Sequence, residues 1–196
     1  MLHWLRRNSE LKRTGHQHYE RIVAQARSEP LYRELGVPDT MEGRFDMIVL
    51  HLFLVRERLK REGAVGQRLG QIVLEKLISD MDDALRQIGY DMGVPKRIQK
   101  AAGAFAERSG AYTAALAAEP VEAAAQRNGP DDRLEAALLD HVYGCTDPAK
   151  MARHRDHADR LADYVRRAAV MVDGTDSATL LAGEIAFPPL PVGDAR

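Results

Sequence analysis

Apolar residues recur at helical spacing along most of the chain, and the clearest example runs from about Gly66 to Ile88. Its apolar positions fall three or four residues apart, so they line one face of a helix. They are Leu74, Leu77, Ile78, Met81, Leu85 and Ile88. The preceding segment, from Gly43 to Glu62, predicts a second helix. Its middle, from Met47 to Val55, is apolar nearly all round, which indicates a helix that others surround.

Two further long helices are predicted on either side of this pair. One covers roughly Thr14 to Arg27, where apolar residues again recur every third or fourth position. The other begins at Pro95, because proline is tolerated in the first turn of a helix, where its missing N–H has no partner to lose. Gly110 can interrupt that helix near Ser109.

Two helices are predicted in the last third of the chain, each preceded by an acidic cap. Asp131 or Asp132 caps a short helix that extends to Val142. Thr146-Asp147-Pro148 combines a cap with a proline before a longer helix that ends near Val172. Turn residues cluster between these stretches instead of recurring every ten residues, which favours helices over a sandwich or a barrel.

The elements together predict an all-α protein with one helical domain of six or seven helices. That domain covers residues 14–172. A short basic segment, residues 1–13, precedes it. Residues 173–196 follow as an extended C-terminal tail that is rich in proline at Phe187-Pro188-Pro189-Leu190-Pro191.

Composition narrows the class of protein. The chain has 196 residues, of which 45% are hydrophobic, enough for one domain with a core. Its 28 Lys and Arg against 29 Asp and Glu leave a net charge of −1, so we expect no DNA partner. No run reaches the roughly 18 apolar residues of a membrane span. The single Cys145 forms no internal disulfide, which favours the cytoplasm.

Histidines are the first candidates for chemistry, but their spacing does not complete a metal site. A structural zinc ion needs three or four ligands. His154 and His157 are an i, i+3 pair with no Cys or carboxylate spaced to complete the set, so we expect a solvated pair on a charged helix. His51 interrupts the apolar run, and we expect a core histidine that is hydrogen-bonded to a neighbour.

Two alternative functions stay open at this point. One is a metal- or haem-associated helical protein that uses His51, His141, His154 or His157. The other is a small helical enzyme, for which the sequence offers only scattered titratable groups. The chain contains no HExxH or GxSxG motif and no Gly-rich phosphate loop. We therefore expect no cofactor and no catalytic residue.

Charged residues are distributed unevenly. Residues 1–13 and residues 95–108 are basic, whereas the segment from Glu75 to Asp91 between them is acidic. Basic groups on two helices can form a patch for an acidic polypeptide, ribosomal RNA or anionic lipid. A solvated helix face is the plainer interpretation, supported by the favourable i, i+4 pair of Asp82 and Arg86.

An ordered series of short sequence words resembles the ubiquinol–cytochrome c chaperone family, over about Tyr19 to Leu116. No single word is specific, but their order and separations are. The words are Leu31-Tyr32-Arg33-Glu34-Leu35-Gly36, Gly43-Arg44-Phe45-Asp46, Leu50-His51-Leu52-Phe53-Leu54, Arg58-Leu59, Ser79-Asp80-Met81-Asp82-Asp83-Ala84-Leu85-Arg86-Gln87-Ile88-Gly89, Val94-Pro95-Lys96-Arg97, Phe105-Ala106-Glu107-Arg108 and Ala111-Tyr112.

The resemblance implies an assembly factor for the ubiquinol–cytochrome c reductase, complex III, and not an enzyme. It implies binding to newly made cytochrome b or its nascent chain, with a small helper protein and near the ribosome. It also implies work on the cytoplasmic side of the inner membrane, with peripheral membrane contact. The residues agree with this, because a helical domain with a basic patch can hold an apolar helix by groove packing.

Site residues follow from the words of the resemblance. We expect a basic contact surface made of Arg44, Arg58, Lys96, Arg97, Lys100 and Arg108. We expect ion pairs that orient neighbouring helices, with contact as a second role, at Asp80, Asp82 and Arg86. We expect residues that line the core or a groove at His51, Phe53 and Tyr112.

Reversing the charge at Lys96 and Lys100 together tests the basic surface. We expect weaker binding of the client or the membrane, because charged rims set orientation and encounter rate. Helical content, measured by circular dichroism, stays unchanged because both residues are predicted on a solvated face. An unfolded double variant, or one that binds as before, removes the support for this surface.

Overall fold

The computed structural model describes residues 2–87, 94–117, 133–145 and 147–190, without the side chains of residues 2–7, 85 and 94–98. Within these ranges the chain forms eight α-helices, one 3-10 helix and no strand, which confirms the all-α prediction. The α-helices are α1 (Leu2–Ala26), α2 (Glu29–Arg33), α3 (Met41–Leu59), α4 (Gly63–Gln87), α5 (Val94–Ala117), α6 (Arg133–His141), α7 (Pro148–Asp173) and α8 (Ser177–Leu181). The 3-10 helix, Lys60–Glu62, joins α3 to α4. No helix in these ranges has both the length and the apolar character needed to cross a membrane.

The six longer helices correspond to the six predicted ones, but α1 starts earlier than predicted and α5 is not interrupted. α1 begins at Leu2 and not at Thr14, so the described part of the basic segment is helical. Gly15 does not break α1 but lets it approach α4, because a Cβ at this position would lie 2.5 Å from Cγ2 of Ile72. α5 also continues through Gly110, so the interruption near Ser109 is absent. Tyr112, two residues later, is fully buried, and its packing outweighs the low helix propensity of glycine.

The third helix is the centre of the fold. α3 packs against α1, α4, α5 and α7, and every residue from Met47 to Val55 is buried. Each large apolar side chain buried in this way contributes about 1.5–3 kcal/mol of hydrophobic free energy. The prediction of a surrounded helix is therefore confirmed.

A buried polar network crosses the core through His51. The Gln25 side-chain amide donates to the Tyr164 hydroxyl at 2.9 Å, and the His51 Nε2 atom lies 2.7 Å from the same hydroxyl. The His51 Nδ1 atom lies 2.7 Å from the Met47 carbonyl oxygen, which can only accept. Burial lowers the pKa of His51 to about 4, so the ring is neutral. Nδ1 therefore carries the proton, and Tyr164 donates to Nε2.

The described part of the C-terminal tail lies against this core. His18 Nε2 donates to the Leu180 carbonyl oxygen at 2.8 Å, which ties α8 to α1. Residues 184–190 contain no helix or strand, but Ile185 and Pro188 are buried. The Phe187 ring meets the His51 ring edge-on, with 5.1 Å between the ring centroids. Residues 184–190 thus pack against the core, with Phe187 beside the polar network.

Replacing His51 with Gln removes one titrating group from the core. Wild-type stability falls as the pH drops from about 6.5 to about 4, because the unfolded chain binds a proton at His51 that the folded chain excludes. We expect this group to contribute about 3 kcal/mol to the decline, and the decline to be shallower by that amount in the variant. Urea unfolding of both proteins between pH 4 and pH 7.5 measures it.

The buried Asp46 acts with the opposite sign in part of the same pH window, because burial raises its pKa to about 6. Asp46 is present in both proteins, so the difference between the two pH profiles isolates His51. Parallel profiles would show that His51 is not held neutral in the fold.

Candidate protein-binding site

An open groove of about 450 Å³ lies between α1, the first turns of α3 and the last turns of α4. Two helices each present apolar residues to it at i, i+4 and i+7, which places them on one face. The apolar lining is Tyr19 of α1, Met41, Phe45 and Ile48 of α3, and Leu77, Met81 and Ala84 of α4. The groove is therefore an apolar trough with walls made of helices.

The loop before α3 forms one edge of the groove. The Thr40 side chain accepts a hydrogen bond from the Gly43 N–H at 3.1 Å, which caps α3 and fixes its start at Met41. A Cβ at Gly43 would lie 2.1 Å from the Pro38 carbonyl oxygen, so glycine is what lets the loop fold back on the helix. This turn brings Asp39 to the groove.

The exposure of the lining side chains increases from the base of the groove to its mouth. Ile48 and Leu77 are buried at its base, whereas Phe45 and Met81 are partly exposed. Met41 stands at the mouth with 56% of its surface exposed. Methionine has a flexible, polarisable side chain that adapts to partners of different shape. The groove thus has a firm floor and an adaptable mouth.

Two arginines and one aspartate mark one end of the groove. Arg27, Asp39 and Arg44 line both the groove and an adjoining pocket of about 340 Å³. Arg44 Nε donates to Asp39 Oδ1 at 2.6 Å, and this hydrogen bond lowers the pKa of Asp39. The end of the groove therefore carries an excess of positive charge.

The α4 side of the groove is charge-balanced. Asp80 is paired with Lys76, whose ammonium lies 5.8 Å from the centroid of the Tyr19 ring. Burial raises the pKa of Tyr19, and the charge of Asp80 raises it further, so the phenol stays protonated. Asp80 thus sits between α4 and α1, whereas the ion pair of Arg86 with Asp82, at 2.7 Å, lies within α4.

Arg58 was expected on a basic contact surface, and the structure instead buries it. Its guanidinium donates to Glu62 Oε1 at 2.5 Å, to the Thr175 carbonyl oxygen at 2.8 Å and to the Asp173 carbonyl oxygen at 3.2 Å. Only 8% of the residue is exposed. Arg58 ties the end of α3 to the end of α7. It also lies about 21 Å along the α3 axis from Arg44, by the rise of 1.5 Å per residue.

Arg108 is also a structural residue. Its Nε donates to Asp46 Oδ1 at 2.8 Å, which joins α5 to α3. Burial raises the pKa of Asp46 to about 6, and the Arg108 charge opposes that rise. The same guanidinium lies 5.9 Å from the centroid of the Phe45 ring. Arg108 therefore joins α5 to α3 beside the groove residue Phe45, while 20% of its side chain stays exposed.

The remaining predicted residues fall in different places. Lys100 is exposed on α5, and the side chains of Lys96 and Arg97 lie outside the described part of the structure. Phe53 and Tyr112 are buried, with 5.6 Å between their ring centroids, so they line the core and not the groove. Of the six basic residues, Arg58 and Arg108 are paired within the fold, with Glu62 and Asp46, and Arg44 is exposed at the groove.

The candidate histidines serve packing. His141 lies against the ring of Tyr112, with 6.0 Å between centroids. The expectation of a solvated pair at His154 and His157 is wrong, because both are partly buried and His154 stacks on Tyr143 at 5.2 Å. In the part of the chain that the structure describes, no three His, Cys, Asp or Glu side chains are placed to share a metal ion. The core role of His51 is confirmed by its two hydrogen bonds.

The sequence did not identify the groove residues. Met41 and Phe45 lie ahead of the continuous apolar run of α3, and Met81 lies on the predicted core face of α4. The sequence did contain a signal for a groove. Apolar residues at i, i+4 and i+7 extend to the start of α3 and to the last turns of α4, and these two helices are consecutive in the chain. Arg27, at the end of α1, carries no comparable signal.

Replacing Arg108 with Met tests its structural role. The variant leaves the Asp46 carboxylate buried without its cation, so we expect the free energy of unfolding at pH 7 to fall by about 3 kcal/mol. The loss becomes smaller as the pH falls, because a protonated Asp46 needs no partner. The matched control is Arg44→Met, since Arg44 is exposed, and its melting temperature should stay unchanged. If the two variants are equally stable, Arg108 has no structural role and the contact role predicted from the sequence is favoured.

Comparison with known proteins agrees with this description. Residues 33–187 match the family described as Ubiquinol-cytochrome C chaperone, which confirms the resemblance and extends it through α7. The chain is 24% identical over 178 residues to ubiquinol-cytochrome-c reductase complex assembly factor 1 of Xenopus laevis, covering 86% of this chain and 77% of that protein. A crystal structure of the Cbp3 homolog from Brucella abortus superimposes with a TM-score of 0.77 and 33% identity, covering 96% of this chain and 97% of that one. The chain belongs to the ubiquinol–cytochrome c chaperone family.

Proposed function

We propose that this protein is a non-catalytic assembly chaperone that binds newly made cytochrome b and supports assembly of the ubiquinol–cytochrome c reductase, complex III. The observation that carries the proposal is the family match over residues 33–187. The Xenopus relative is itself named an assembly factor of that complex. The open groove gives a client a place to bind.

The groove suits an apolar helix of the client. Helices bind in grooves through side chains at i, i+3, i+4 and i+7, which meet an apolar floor. Phe45, Ile48 and Leu77 supply such a floor, and the methionines at positions 41 and 81 adjust to the side chains of the occupant. An apolar segment bound here is kept from water until complex III subunits replace the chaperone.

The polar groups at the groove are suited to binding and not to turnover. Asp39 and Asp80 are held in ion pairs with Arg44 and Lys76. The raised pKa of Tyr19 makes its phenol a poor base at neutral pH. A general base needs a pKa near the operating pH. The arrangement therefore supports a role in holding a partner.

Further contacts complete the proposal. The basic residues of α5, Lys96, Arg97 and Lys100, together with Arg44, remain the proposed surface for the ribosome, a small helper protein or the cytoplasmic face of the inner membrane. Basic clusters of this size gain about 1 kcal/mol per residue at an anionic membrane surface. That gain is suited to reversible, peripheral attachment in the cytoplasm.

Replacing Ala84 with Glu tests the groove. Ala84 is an exposed groove residue on α4, and a carboxylate there would have to be buried under an apolar client. We expect about tenfold less cytochrome b captured, which corresponds to 1.4 kcal/mol, and a matching loss of assembled complex III. Ala64→Glu is the control, because Ala64 is an exposed alanine at the other end of the same helix and does not line the groove.

Capture is measured in cells with a photocrosslinking amino acid at Met41, which stands at the mouth of the groove, and with a second one at the exposed Met171 of α7 as a negative control. Cytochrome b is expected at position 41 only. Two results would contradict client binding in the groove. One is equal crosslinking at positions 41 and 171, and the other is equal cytochrome b capture by Ala84→Glu and Ala64→Glu. Normal levels of active complex III in a deletion strain would end the proposal as a whole.

A further inference from the structure

Arg27 is an arginine without an ion pair at the edge of the groove. It follows the last residue of α1, is exposed, and lines both the groove and the adjoining pocket. None of the described carboxylates lies within ion-pair distance of its guanidinium. The carboxylates that line the groove and the pocket already have partners: Glu29 pairs with Arg33 at 2.8 Å, Asp39 pairs with Arg44 at 2.6 Å, and Asp80 pairs with Lys76.

The surroundings favour an incoming anionic group such as a carboxylate. The groove lining holds the guanidiniums of Arg27 and Arg44 and the carboxylates of Asp39 and Asp80. Asp39 is paired with Arg44 and Asp80 with Lys76, so the positive charge of Arg27 is the one left without a partner among them. An arginine guanidinium matches the planar geometry of a carboxylate and can bind it through two parallel hydrogen bonds. An apolar occupant that covers the trough also displaces water, and the loss of water strengthens the attraction between charges.

The shape of the site restricts what carries that carboxylate. Seven apolar side chains from three helices form the trough, and its charged end is confined to one side. A nucleic acid backbone gains nothing from the apolar floor. A helical peptide segment satisfies both parts when it has one apolar face and an acidic side chain at one end of that face.

We infer that the groove selects apolar helical segments that carry an acidic residue at one end, and that Arg27 is the residue that recognises the acid. This inference rests on the proposed function and specifies which client segments the chaperone accepts. Arg44, held in place by Asp39, adds its charge to the same end without giving up its own partner. The apolar contacts supply affinity, and Arg27 supplies selectivity and the direction in which the segment lies.

The test uses the full chain and three synthetic helical peptides of about 18 residues, long enough to form several turns. They share one apolar face and differ at a single end position, which is Glu, Gln or Lys. Fluorescence anisotropy gives the three dissociation constants. Wild-type protein is expected to bind the Glu peptide about three- to tenfold more tightly than the Gln peptide, and the Lys peptide most weakly.

Variants at Arg27 locate the selectivity. Arg27→Gln should bind the three peptides equally, with the affinity for the Gln peptide unchanged. Arg27→Glu should reverse the order, so that the Lys peptide binds best. The matched control is Arg21→Gln, because Arg21 is an exposed arginine of the same helix that does not line the groove, and it should keep the wild-type order. Melting curves establish that all variants are folded.

The outcomes separate this inference from the proposed function. If cytochrome b crosslinks at position 41 while wild-type protein binds the three peptides equally, the inference is wrong and the proposed function stands. If no peptide binds and no cytochrome b crosslink forms, both are wrong. Self-association through the groove, seen by sedimentation, overturns the inference. A further outcome also overturns the inference: wild-type protein shows no peptide selectivity but binds phosphatidylserine vesicles, and Arg27→Gln abolishes that binding. Arg27 would then bind lipid headgroups.

Discussion

The burial of the middle of α3, residues 46–55, is the constraint on which the rest of the structure depends. A buried stretch of helix must find a partner inside the protein for each polar group that it carries. His51 finds Tyr164, Asp46 finds Arg108, and Arg58 finds carbonyl groups at the end of α7. The partners come from α5 and from α7 with the turn after it, so these bonds fix how α5 and α7 are rotated against α3. Apolar packing alone would leave those rotations less well defined.

The groove exists because α3 leaves this enclosed region at its first turns. There α1 and α4 still flank it, but no further helix of the described chain closes the side, so Met41 and Phe45 face an open trough. The same helix thus serves as the centre of the core and as one wall of the site. Most side chains in the buried part of α3, residues 47–55, are branched or aromatic. The exposed Met41 at the groove opening has a flexible side chain that can adapt to a partner.

The sequence predicts much of the fold because helical periodicity is a local signal. It locates the six long helices and the surrounded part of α3, and the ordered words identify the family. It does not tell whether an arginine faces only water or also pairs within the fold, as Arg58 does with Glu62 and Arg108 with Asp46. Gly110 likewise shows that a glycine does not by itself end a helix, because α5 continues through it. The groove was missed because its lining comes from separate helices whose approach is a tertiary property.

The segment that follows α7 has a consequence for the order in which the molecule matures. Leu180 is fixed to His18 of the first helix, and Phe187 closes over His51 at the centre. Translation proceeds from the N-terminus, so both residues emerge after every helix that they contact. While the chain is still being made, the central imidazole therefore lacks the Phe187 ring at its edge, and α1 lacks its bond to Leu180. These contacts can form only once residues 180–187 have left the ribosome, so the last step of packing around α3 comes late in synthesis.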